Sequence, residues 1–129
     1  TLFLSKERQM KKTILLVDNE IDVQNRYFLQ AGYDVLVAHD GKEGLELFRK
    51  KSIDLIITDI MMPNMNGYDF ISEVQYIAPN QPFLFTTAKT SEQDKIYGLS
   101  LGGYDFIAKP FSLRELVLRV NNILRRLSR

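Results

Sequence analysis

The chain has 129 residues, 45% apolar and 26% charged, which suits one folded domain with a real core and leaves too little length for two. Seventeen Lys and Arg against sixteen Asp and Glu leave a net charge of +1, so composition offers no electrostatic case for nucleic-acid contact by this segment. The lack of cysteine excludes disulfide frameworks and thiolate metal sites; with no apolar run of bilayer length and no signal-peptide core in TLFLSKERQ, a cytoplasmic location away from the membrane is expected.

Met10 followed by Lys11 and Lys12 has the form of a natural start, so residues 1–10 are expected to be an upstream extension or cloning remnant and residues 11–129 the domain. Five short apolar runs of strand length follow in order: TILLV (13–17), DVLVA (34–38), DLIIT (54–58), PFLFT (82–86) and YDFIA (104–108). Between and after them, apolar residues recur at spacings of three and four, as in Leu45 with Phe48, Ile71 with Val74, and Leu113, Leu116, Val117, Val120, Ile123, Leu124 and Leu127. That spacing predicts amphipathic helices. Gly32 after the first helix, Asp40-Gly41 before the second, Pro79 after the third and Ser91 before the fourth supply the boundary chemistry. Five strands alternating with five helices predict an α/β fold with a parallel, doubly wound sheet, because parallel neighbours need a crossover of about a dozen residues. The basic tail LRRLSR carries no stop signal, and a longer parent protein is expected.

In open α/β sheets, ligands bind beyond the carboxyl ends of the strands. Those ends read Asp18-Asn19-Glu20 after the first run, Asp59 after the third, Thr87 after the fourth and Lys109-Pro110 after the fifth. Folding would therefore gather carboxylates, a carboxamide, a hydroxyl and an ammonium in one crevice. Converging carboxylates repel by roughly several kcal/mol unless a cation joins them. Lys109 is one such cation, and Mg2+ suits a site of one or two carboxylates, a backbone carbonyl and waters. Asp59 would then be a carboxylate nucleophile able to form an acyl phosphate, with Thr87 donating to a phosphoryl oxygen. Taken singly, Asp18 or Asn19 reads more readily as a helix cap, Thr87 as an ordinary strand-end hydroxyl and Lys109 as a solvated lysine. The four strand ends together favour a site.

Other motifs carry less. GKEG (41–44) lacks the length and Lys-Ser/Thr ending of a nucleotide phosphate loop. His39 has no Ser or Cys signature near it and reads as a surface or cap residue, while Met61-Met62 reads as loop and packing filler.

ILLVDNE, DLIITDIMMPNMNGYDF, FLFTTAK and GGYDFIAKPF, in this order from about Lys12 to Arg126, resemble the receiver domain of two-component response regulators. The resemblance implies a CheY-like, flavodoxin-like sheet of order 2-1-3-4-5 with five flanking helices. It implies that Asp59 accepts a phosphoryl group from a sensor histidine kinase. It also implies that Asp18, Asn19, Asp59 and the Met61 carbonyl hold Mg2+, that Lys109 and Thr87 contact the phosphoryl group, that Thr87 and Phe106 act as the switch pair, and that the Lys109-Pro110 bond is cis. Such a domain is not an enzyme in its own right but assists its own phosphorylation, and its signal is a change in the surface of the fourth helix, fifth strand and fifth helix.

The chain departs from the family pattern at Asn19, where a second acid is usual. Weaker Mg2+ binding is expected, with a larger share for Asp18 or Glu20, and a receiver-like interaction scaffold that is poorly phosphorylated is the rival reading. A phosphatase of related architecture would want an acid two residues after its nucleophile, where Met61 stands. Met61 cannot orient water by hydrogen bonding, so with Lys89 at the other influential position slow self-dephosphorylation is expected. SLRELVLRVNNILRR resembles the last helix of receivers joined to a winged-helix DNA-binding domain of the OmpR/PhoB type. That resemblance implies transcriptional output through a further C-terminal domain and a phosphorylation-dependent homodimer in which Lys95 pairs with Glu115 and Asp105 with Arg126. Ser100 and Tyr104 stand where acids are common, so Arg119 is expected to lack its usual partner in that dimer. Solvated charges on helix faces are the plainer alternative.

Overall fold

The structure is a computed structural model that describes residues 11–18, 22–88 and 92–128. Five strands, β1 (Thr13–Val17), β2 (Asp34–Ala38), β3 (Leu55–Asp59), β4 (Phe83–Thr87) and β5 (Phe106–Ala108), alternate with helices α1 (Asp22–Gln30), α2 (Gly41–Lys50), α3 (Gly67–Ile77), α4 (Glu92–Ser100) and α5 (Leu113–Leu127). All strand pairs are parallel, in the order β2-β1-β3-β4-β5, as the alternation requires.

Strand side chains alternate between the two faces, and each face has its own core. Ile14, Leu16, Leu55, Ile57, Leu84 and Ile107 pack beneath Phe28 of α1 and Leu116, Val120, Ile123 and Leu124 of α5. Leu15, Val17, Ile56, Phe83, Phe85 and Phe106 pack beneath Leu45 of α2 and Phe70, Ile71 and Val74 of α3. β1, β3 and β4 are thus covered on both sides, which explains their unbroken apolar runs. Burying a side chain of this size is worth about 1.5–3 kcal/mol each before ordering entropy is set against it.

The helix ends follow local chemistry. Asp40, Asn66 and Ser112 cap α2, α3 and α5 by accepting the backbone N–H of Glu43, Asp69 and Glu115. Gly32, at φ +97°, leads the chain out of α1 in the left-handed region. The cap expected from Ser91 lies outside the described residues, as do residues 1–10.

Three strands differ from the apolar runs. β3 and β4 are each shifted by one residue, to Leu55–Asp59 and Phe83–Thr87, because ladder hydrogen bonds are made by the backbone whatever the side chain. β5 is shorter than expected: Tyr104 and Asp105 lie before it, although Tyr104 N–H still bonds Phe83 O at 2.8 Å and Asp105 O accepts Phe85 N–H at 3.2 Å.

Candidate functional site

Strand register sets the site. Val17 stands beside Thr58, Asp59 beside Thr86 and Thr87 beside Ala108, so the residues at the carboxyl ends of β1, β3, β4 and β5 reach a common level. Asp18 N–H bonds Ala38 O at 3.0 Å and Lys109 N–H bonds Thr87 O at 2.7 Å, which extends the ladder by one residue on each side. The Lys109-Pro110 bond is cis.

At this level the Lys109 ammonium bridges two carboxylates, donating to Asp18 Oδ2 at 2.9 Å and to Asp59 Oδ2 at 3.0 Å. The Asp18 and Asp59 side chains are 3% and 8% exposed, and that of Lys109 25%. Burial alone would lower the Lys109 pKa, but the hydrogen bonds and charges of Asp18 and Asp59 outweigh it and hold the ammonium above its ordinary value. Asp59 Oδ1 is held by the backbone, accepting Ile60 N–H at 2.7 Å and Met61 N–H at 3.3 Å. Thr87 is fully buried at the end of β4. Gln24 of α1, also buried, donates to Asp18 Oδ2 at 3.5 Å, the long limit of a hydrogen bond.

The site thus joins Asp18, Asp59 and Lys109 directly and places Thr87 beside Lys109 through the backbone. Asn19, Glu20 and Lys89 lie outside the described residues. The Met61 side chain is 58% exposed, while Met62 packs partly against the core under α2 and α3. Ile60, Met61, Met62, Pro63, Asn66 and Tyr68 line a surface pocket of about 440 Å³ next to Asp59. His39 is exposed, with Nδ1 3.4 Å from Glu43.

Phe106 lies inward, 5% exposed, its ring edge-to-face with Phe85 at 6.4 Å. Gly98 of α4 makes the room: a Cβ there would stand 2.7 and 2.9 Å from the Phe106 ring.

Sequence reasoning passed over two supports. Gly67 opens α3 against the strand that carries Asp59; a Cβ would meet Asp59 O at 2.2 Å, while Gly67 N–H bonds Ile60 O at 2.8 Å. The NG step before α3 was its only visible trace. Gln24, one polar residue in an amphipathic helix, carried no signal that it faces Asp18.

On the face of α4, β5 and α5, Lys95, Glu115 and Arg126 are exposed. Arg119 does not stand alone: Nη1 donates to Asp105 at 2.8 Å and Nη2 to Glu115 at 2.9 Å. These hydrogen bonds keep its guanidinium still more firmly protonated. Within one chain, then, Arg119 takes up the two carboxylates expected to serve Arg126 and Lys95 across a dimer.

Two carboxylates and one ammonium sum to a single negative charge, and the carboxylates are hard oxygen donors converging on one point. Among the described residues no three His, Cys, Asp or Glu side chains gather as a metal cage. A pair of carboxylates fits Mg2+, which keeps several waters and uses few protein ligands.

Comparison with known proteins gives the family and the fold. Residues 14–121 match the response regulator receiver domain family. The chain belongs to that family. It is 45% identical over 119 residues to response regulator SaeR of Staphylococcus aureus (strain USA300), covering 90% of this chain and 52% of SaeR, so the chain spans about half the length of the curated relatives it matches. The non-phosphorylated HemR receiver domain from Leptospira biflexa superposes with a TM-score of 0.82 at 32% identity, over 88% of this chain and 94% of that one. CheY in the CheX-CheY-BeF3-Mg complex from Borrelia burgdorferi superposes with a TM-score of 0.80 at 25% identity, over 87% and 88%. The receiver is a signalling domain of two-component systems, and its five-stranded, CheY-like fold is the one these structures share. Among its described residues no helix is long and apolar enough to cross a membrane.

Proposed function

We propose that this receiver is a phosphorylation switch in which Asp59 takes a phosphoryl group from the phosphohistidine of a sensor histidine kinase. The observation that carries the reading is the Lys109 ammonium seated 2.9 and 3.0 Å from two buried carboxylates that belong to different strands. Oδ1 of Asp59 is committed to backbone N–H groups, so Oδ2 attacks phosphorus; the new O–P bond forms as the P–N bond breaks and the imidazole leaves. Lys109 then exchanges its bond to Asp59 for one to a phosphoryl oxygen, and the Thr87 hydroxyl supplies a further donor. Mg2+, when bound, offsets charge on the phosphoryl oxygens, with Asp18, Asp59 and the Met61 carbonyl as ligands together with Asn19.

Phosphorylation would be read on the surface of α4, β5 and α5 through Thr87 and Phe106. On this reading the receiver controls transcription through a further output domain and pairs as a homodimer through Lys95, Asp105, Glu115, Arg119 and Arg126, in the cytoplasm; the match to about half the length of a response regulator supports the further domain alone. Incubation with acetyl phosphate and Mg2+ followed by intact mass tests the core of the reading. One phosphoryl adduct is expected on the wild type and none on Asp59→Ala. A wild type that stays unmodified would favour the interaction scaffold.

A further inference from the structure

The segment between Asp59 and α3 has to place the Met61 carbonyl, yet it is not part of the ladder. At its far end Gly67 N–H bonds Ile60 O, and inside it Met65 N–H bonds Pro63 O at 2.7 Å. Its middle is held from outside, by the turn between β2 and α2. Asn64, with φ at +69°, donates from Nδ2 to Asp40 Oδ2 at 2.9 Å. Asp40 Oδ1 meanwhile accepts Glu43 N–H at 2.9 Å as the cap of α2. Next to it Gly41 is buried so closely that a Cβ would stand 2.9 Å from Met65 Cβ and Cγ.

One carboxylate therefore ties a helix start to a loop 24 residues away. Asn64 sits in a backbone region that Asn tolerates but does not prefer, at a loss of roughly 1 kcal/mol, so the tether helps hold that conformation. The hydrogen bonds from Glu43 N–H and from Asn64 keep the Asp40 carboxyl below the usual carboxylate range, so the acceptor is charged throughout the neutral range.

We infer that Asn64, tethered by Asp40, is a positioning residue that fixes the Met61 carbonyl for Mg2+. The inference rests on the metal reading above and adds two residues that never touch the ion. Partners that orient a metal ligand from behind typically change affinity by 10–100-fold, and a single exposed tether acting on a backbone ligand belongs at the low end.

The test is titration of the full chain with MgCl2 alone, followed by calorimetry or amide NMR, with thermal unfolding in the absence of metal as a second readout. Asn64→Gly keeps the left-handed backbone accessible and removes the tether. Asp40→Ser keeps a capping oxygen and loses the second acceptor. Each is expected to weaken Mg2+ by about tenfold. The double variant Asp40→Asn, Asn64→Asp preserves charge and reverses donor and acceptor, and is expected to return to within about threefold of wild type. Affinity within about twofold of wild type in both tether-breaking variants would overturn the inference. So would a loss in them that the reversed pair leaves unrepaired. A wild type that takes up no Mg2+ would remove the metal reading itself, and the inference with it.

Discussion

Gly98 offers a substitution whose sign depends on the packing of Phe106. In an ordinary helix Gly→Ala stabilises by about 0.8–1.0 kcal/mol, because alanine restricts the unfolded chain and suits the helix. Here the new methyl would lie 2.7 and 2.9 Å from the Phe106 ring and 3.2 Å from the Phe85 ring, well inside contact distance. Both rings are buried, Phe85 packed edge-to-face against Phe83 and Tyr68 and Phe106 against Phe85, so neither gives way alone. Overpacking of this kind costs about 1–3 kcal/mol, so after the propensity gain the expected outcome is a net loss of about 1 kcal/mol, or about 4 °C in Tm. Should Phe106 swing outward instead, the strain is relieved but the burial of a large ring is lost, about 2 kcal/mol, and the sign stays the same. Urea unfolding gives the energy, and aromatic NMR contacts between Phe106 and Phe85 report where the ring sits. A variant about 1 kcal/mol more stable than wild type, with Phe106 still against Phe85, would refute the reasoning.

Gly67→Ala is expected to lose about 3 kcal/mol or more, since its Cβ would meet a backbone oxygen at 2.2 Å that no side-chain rotation can clear; urea unfolding measures it. Lys109 has a folded pKa raised above its unfolded value, so its stabilising share is complete below the unfolded lysine value of about 10.4 and is lost as pH rises through the folded pKa. Wild-type stability should therefore fall with pH in that alkaline window, and Lys109→Met, compared over the same range, should lack that component of the slope. The Tyr33 hydroxyl bonds Asn121 Oδ1 and ties the start of β2 to α5, so Tyr33→Phe should cost about 1 kcal/mol in urea unfolding while leaving Mg2+ affinity at Asp59 unchanged.

The architecture was open to reading because its signals are repeated and local. Ile- and Val-rich runs of five residues, separated by helical spacing, leave few arrangements other than a parallel sheet with both faces covered. The site was legible for a related reason: Asp18, Asp59, Thr87 and Lys109 each follow an apolar run directly, and parallel register brings such positions to one end. What stayed hidden depends on contacts between segments far apart in the chain. Nothing about Gln24, Asp40 or Asn64 alone says that they face Asp18 or each other. The grip of Asp105 on Arg119 likewise needs the placement of the β5 edge against α5, whereas Glu115 and Arg119 form an i,i+4 pair within α5 that spacing alone makes legible. Strand limits failed at Asp59 and Thr87 because side-chain polarity was used as a proxy for the ladder, which the backbone makes without regard to it.

Phe106 and Ile107 are neighbours in sequence but belong to different cores, one facing the layer of α2, α3 and α4 and the other lying beneath α1 and α5. The five strands act as a partition wall. At its outer edge, where β5 pairs only with β4, α4 and α5 flank the same strand from opposite sides, so a ring that turns there sits where both rooms open to the outside.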